Sequence, residues 1–180
     1  MKETLVVNLF GGPGIGKSTV AAALFAMLKL NGVSCELVTE YAKDKVWEGS
    51  DDMLRDQIYV FAKQFHRVWA LQGKVDVVVT DSPFLLSLYY GRDATSDAFK
   101  RTVVDEYDKM WNLDILLNRS VPYDPAGRQQ TAKQAIEVDQ FLGELLDRRM
   151  RGGKPHLRYD LDNQTAERLY WIVKCMREGK

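Results

Sequence analysis

Two cysteines among 180 residues are too few for a disulfide framework. Cys35 falls in an apolar stretch and Cys175 in the last helical pattern, so both are expected as buried thiols. Neither sign of charge is in excess, with Lys plus Arg numbering 25 and Asp plus Glu 25. Such a balance lacks the field that draws a chain to nucleic acid or to an anionic membrane, and it turns attention to a small partner. No apolar run is long enough to span a bilayer, and "MKE" passes into the first apolar stretch without the pattern of a secretory leader. A cytoplasmic protein without membrane attachment is expected. Histidine is scarce, and His66 and His156 have no ligand-like neighbours in sequence, which gives them structural or surface roles. Repeats and low-complexity linkers are absent, and 46% hydrophobic content fits one domain over residues 1–180 with a sizeable core.

Glycine, at 13 residues, is ordinary in number but not in placement. Residues 10–19 read "FGGPGIGKST", behind the apolar, β-branched "TLVVNLF" and ahead of "KSTVAAALFAMLKL", which repeats apolar residues at helical spacing. The glycines therefore join a strand to a helix. Gly11, Gly16, Lys17 and Ser18 fit G-x-x-x-x-G-K-[ST] at full spacing. Glycines let successive backbone N–H groups curl around a phosphate chain at a helix N-terminus. Gly11, Gly12, Gly14, Ile15, Gly16, Lys17, Ser18 and Thr19 form the expected nucleoside-triphosphate site, with Lys17 on the terminal phosphates and Ser18 on Mg²⁺.

Strands are expected at 4–10, 34–39, 75–80, 113–118 and 156–160, with helices at about 17–30, 51–72, 83–91, 97–111, 132–151 and 164–177. That alternation predicts an α/β fold with a parallel sheet covered on both faces. Ligands in such sheets collect at the carboxyl ends of the strands. There the chain places the phosphate loop, then "EYAKDKVW", "DSPF" and "RSVPYDPAGR".

Asp81 ends an apolar strand level with the phosphate loop, where it either holds Mg²⁺ or caps the helix opening "SPF". Glu40 is either a base for an attacking hydroxyl or a solvated strand end, and Tyr41 and Trp47 beside it offer a wall for a flat base or belong to the core. Within 51–72, Leu54, Ile58, Phe61, Phe65 and Val68 make one apolar stripe, and Gln57, Gln64 and Arg67 make a polar stripe beside it. The polar stripe reads as a cleft lining or as a solvated shoulder. Asp51 and Asp52 read as first-turn acids. Arg119 and Arg128 flank "RSVPYDPAGRQQT" at 119–131, a segment expected to close as a lid and bring an arginine to the transferring phosphoryl group.

A guanine-reading N-K-x-D is missing, and "DPAG" at 124–127 follows the wrong strand for a GTPase switch. An AAA-type motor is expected to be longer and to end its third strand in an acidic pair, whereas this strand ends Asp-Ser. Taken in order, "GGPGIGKST", "TEYAKD", "VVVTDSPF" and "LNRSVPYDPAGRQQT" resemble the NadR-like branch of phosphate-loop kinases, which includes the ribosylnicotinamide kinase domain and small phage-type ATPases. More distantly they are similar to deoxynucleoside and nucleoside monophosphate kinases. The resemblance spans about residues 4–175 and implies a three-layer phosphate-loop fold, a sheet of order 2-3-1-4-5 and a lid after the fourth strand. It also implies ATP and Mg²⁺, with a small nucleoside or nucleotide acceptor held between the second strand, the 51–72 helix and the lid. Glu40 and Trp47 are similar to a basic glutamate and a nearby tryptophan of the deoxynucleoside kinases, and Gln64, then Gln57, to their base-reading glutamine. The chain departs from them in lacking proline after Glu40 and in reading "TDSP" where they read Glu-Arg-Ser. Nucleoside, monophosphate and ribosylnicotinamide acceptors all stay open. The other readings are a nucleotide-dependent binding module without a small acceptor, and a polynucleotide 5′-kinase using Arg148, Arg149 and Arg151. Oligomeric state is open, a homodimer included.

Overall fold

All six residues of β1, Leu5–Phe10, are buried, as are the four of β3, Val77–Thr80. A strand buried on both faces belongs inside a sheet covered by helices, which is why these stretches are apolar without alternation. The computed structural model describes residues 3–119 and 131–179. Its sheet has β2 (Cys35–Val38) beside β3, then β1, β4 (Trp111–Asn118) and β5 (His156–Asp160), all parallel. This is the expected order 2-3-1-4-5. β5 lies at an edge and is buried only at its first residue, His156, with intermediate and exposed positions after it.

Helices flank both faces. Leu5, Val7 and Leu9 pack with Val20, Leu24, Leu28, Leu169 and Val173, from α1 (Lys17–Leu30) and α8 (Thr165–Glu178). Phe10 on the other face packs with Phe61 of α4 (Gln57–Trp69), Phe84, Tyr107 of α6 (Asp97–Asp108) and Leu142 of α7 (Ala132–Arg151). Asn8, on that same face, is buried and donates to Asp114 Oδ1 at 3.2 Å and Asn112 Oδ1 at 2.9 Å, tying β1 to β4.

Three expected helices differ. The 51–72 pattern divides into α3 (Asp51–Arg55) and α4, because Asp56 leaves helical geometry and its carboxylate accepts from Tyr59 N at 3.0 Å as the N-cap of α4. Ile58 is consequently 55% exposed, and the apolar stripe is fully buried only at Phe61 and Val68. Residues 83–91 form a 3₁₀ turn, Phe84–Leu86, followed by the short α5, Ser87–Tyr90. The 97–111 pattern stops at Asp108, where the Asn112 amide donates to Tyr107 O and Met110 O and β4 begins at Trp111. A helix without apolar periodicity, α2 (Tyr41–Trp47), follows β2. Cys175 is exposed, against expectation, while Cys35 is buried. His156 is buried in β5 and His66 is exposed. No helix among the described residues is long and apolar enough to cross a membrane.

Candidate functional site

The phosphate loop joins β1 to α1 and is anchored by Ile15, which is buried in the core. Gly16 caps α1 at φ +95°, and a Cβ there would lie 2.5 Å from Leu161 Cδ2, so both conformation and space require glycine. Lys17 Nζ donates to Gly11 O at 2.7 Å and Gly12 O at 3.0 Å, folded over the loop it belongs to. Burial lowers the Lys17 pKa, while Glu40, Asp81 and Asp139 act to raise it and Arg119 to lower it. Ser18 and Thr19 are exposed at the mouth of the loop.

Two of those carboxylates, Asp81 and Glu40, come from neighbouring strand ends. Asp81 follows β3 and is buried, with Oδ1 lacking any hydrogen-bond partner among the described residues. It does not cap the following turn, whose N-cap is Pro83. Burial pushes the Asp81 pKa up, and Lys17, Lys43 and the backbone amides of Asp81 and Glu40 pull it down. Glu40 follows β2 as the extended N-cap of α2 without a side-chain capping bond. Its pKa is also raised, first by burial, then countered by Lys17 and reinforced by Asp81.

Backbone on either side of Glu40 is held by α4. Gln64, buried, accepts from Tyr41 N at 2.9 Å and donates to Thr39 O at 3.4 Å. Arg67 donates to Thr39 O at 3.0 Å and to Asp44 Oδ2 at 2.8 Å. Gln57 donates to Leu54 O. The polar stripe is thus neither a solvated shoulder nor a row of open base readers: Gln64 and Arg67 frame the Glu40 corner. Tyr41 is buried edge-on to Tyr59, whereas Trp47 is 72% exposed.

Arg119 departs from a mobile lid arm. Its Nε donates to Asp139 Oδ2 at 2.7 Å and its Nη2 to Pro13 O at 3.0 Å, while Nη1 is buried without a partner among the described residues. Asp139 also accepts from Gly12 N at 2.6 Å. Sequence reasoning missed Asp139. The available signal was a carboxylate one turn after Ala135 on the inward stripe of α7, beside the buried Val138 and Leu142. Arg128 and residues 120–130 of the expected lid lie outside the described residues. The Arg148–Arg149–Arg151 cluster sits in the last turn of α7, ahead of the start of β5, with Arg149 paired to Asp108 at 2.6 Å. In a parallel sheet that is the end opposite the phosphate loop, which separates the cluster from the site.

The donors present fit a nucleoside triphosphate with Mg²⁺. The loop offers helix-terminal amides and an ammonium that, among the described residues, is bonded only to the loop carbonyls, and Asp81 Oδ1 and the Ser18 hydroxyl are oxygen donors suited to a hard cation.

A family described as "AAA domain" matches residues 6–152. A solved structure titled "Crystal structure of APE1195" is similar to the chain at 22% identity, covering 97% of each chain with a TM-score of 0.44. None of the curated proteins matches.

Proposed function

The chain belongs to the AAA domain family of phosphate-loop nucleotide-binding proteins, and from that premise we propose that it transfers the terminal phosphoryl group of ATP to a small nucleoside or nucleotide acceptor. The observation that carries this reading is the convergence of Glu40 and Asp81 on Lys17 from the ends of adjacent strands. Lys17 exchanges its loop carbonyls for phosphate oxygens when nucleotide binds. For a hydroxyl acceptor Glu40 accepts the attacking proton, a role suited to a carboxylate whose pKa burial raises. Ser18 and Asp81 would hold Mg²⁺, which when bound supplies positive charge to the phosphate oxygens. Tyr41 and Trp47, at the two ends of the helix that Glu40 opens, are the aromatic side chains on α2 that would meet the acceptor. Ribosylnicotinamide, nucleosides and their monophosphates are the acceptors to try, in line with the NadR-like resemblance.

A nucleotide-dependent binding module is the second reading. It is favoured by Trp47, Met53 and Ile58, which are 72%, 38% and 55% exposed on the three helices following Glu40. A coupled ATP-to-ADP assay over that acceptor panel separates the two. Acceptor-dependent ADP release is expected, with kcat rising with pH through a limb above the ordinary glutamate value of 4.5 and the limb lost in Glu40→Gln. ATP binding with a flat response to every acceptor would instead establish the module.

A further inference from the structure

One carboxylate joins the phosphate loop to the helix that follows the expected lid. Asp139 Oδ1 lies 2.6 Å from Gly12 N, and its Oδ2 lies 2.7 Å from Arg119 Nε. Arg119 itself reaches the loop at Pro13 O. Approach this close depends on Gly12, where a Cβ would stand 2.6 Å from Ala135 O and 2.7 Å from Asp139 Oδ1. The pair is largely buried, with 17% and 21% of the two side chains exposed. With Nε and Nη2 engaged, Arg119 keeps its Nη1 buried and without a hydrogen-bond partner among the described residues.

We propose that Asp139 is a positioning residue for nucleotide, fixing the Gly12 corner of the loop and orienting the Arg119 guanidinium so that Nη1 meets a phosphate oxygen of the bound triphosphate. Arg119 then acts from the loop wall rather than arriving with a closing lid. A displacement of α7 reaches the loop through this single carboxylate. The inference rests on the phosphoryl-transfer reading only in requiring that the loop bind ATP.

Calorimetric titration of Mg·ATP into the wild type, Asp139→Asn, Arg119→Ala and the double variant tests it. Asparagine keeps the shape and an oxygen for Gly12 N but sets an amide N–H against Arg119 Nε. Loss of a charge-assisted hydrogen bond predicts about ten- to hundredfold weaker binding in Asp139→Asn. If Asp139 acts through Arg119, its replacement in the Arg119→Ala background weakens binding by less than about threefold, a non-additivity that general loosening of α7 does not produce. Should Asp139→Asn fail to fold, Arg119→Lys retains the charge, loses the oriented fork and is expected to weaken binding similarly. Wild-type affinity in Asp139→Asn or Arg119→Lys, or additive losses in the double variant, would overturn the inference. Absence of ATP binding by the wild type would overturn the phosphoryl-transfer reading, and this inference with it.

Discussion

Asp114 gives the sharpest test of the electrostatics, because it sits in the buried centre of the sheet rather than in the site. It is 4% exposed, accepts from Tyr107 Oη and from Asn8 Nδ2, and pairs in register with Asn8 of the strand that leads into the phosphate loop. Burial raises its pKa from 3.8 to about 6, outweighing the hydrogen bonds from Tyr107 and Asn8 and the attraction of Arg149. A carboxyl with a raised folded pKa binds its proton more tightly in the native state. Stability therefore falls as pH rises from the unfolded value to the folded one and is level above it. About two pKa units at 1.36 kcal/mol each make ionised Asp114 a cost of about 3 kcal/mol at neutral pH. Asp114→Asn keeps an oxygen for Tyr107 and Asn8 and cannot ionise. At roughly 2–4 °C per kcal/mol for a chain of this size, the Tm difference between variant and wild type should move by about 6–12 °C in the variant's favour between pH 4 and pH 7. Circular dichroism melts across that range measure it, with other titrating groups cancelling in the difference. Parallel Tm curves would refute the assignment of a buried, uncompensated carboxylate.

Gly16→Ala forces a side chain into φ +95° and into Leu161 Cδ2 at 2.5 Å, so Tm should drop by roughly 2–8 °C and ATP binding should weaken; an unchanged melt would remove the geometric requirement for glycine. Gln64→Leu strands the Tyr41 N–H at the Glu40 corner, at a cost of about 1–3 kcal/mol. Because the phosphate loop is untouched, kcat should fall at constant ATP affinity, and a loss confined to ATP binding would contradict the framing role given to Gln64.

Legibility in the sequence followed how local each cause was. The bounds of β5 and α7 coincide with the expected 156–160 and 132–151, because apolar spacing and a Thr131–Gln134 capping box are read within one segment. The break at Asp56 was hidden because apolar spacing continues through it, although the cap that makes the break is itself local. Arg119 reads as a lid arginine and Asp139 carries no reading in the sequence, and the packing of α7 on Gly12 is what joins them. An AAA-type motor is set aside on chain length and on the missing acidic pair at the end of the third strand, while residues 6–152 match an AAA domain family all the same. Here Asp81 is followed by Ser82, and a second carboxylate, Glu40, comes from the neighbouring strand to act on the same lysine. A linear motif does not register a pair assembled across a sheet.

The charges around Lys17 also explain why two strands that are otherwise buried end in acids. Three carboxylates, Glu40, Asp81 and Asp139, act on Lys17 together with Arg119. Arg119 and Asp139 neutralise one another at 2.7 Å, which leaves the Lys17 ammonium, joined by Lys43, facing Glu40 and Asp81. For folding alone this is a poor choice. Asp81 neither caps the next turn nor satisfies its Oδ1, and leaving such an atom buried costs about 1–3 kcal/mol. Both acids hold raised pKa values, so each carries an unrelieved desolvation penalty. A polyphosphate entering by itself would add negative charge beside them, whereas a polyphosphate carrying a divalent cation brings the charge they lack. On the proposed function, these two carboxylates would favour the metal-complexed nucleotide over the free anion, a placement that suits the ligand better than the core.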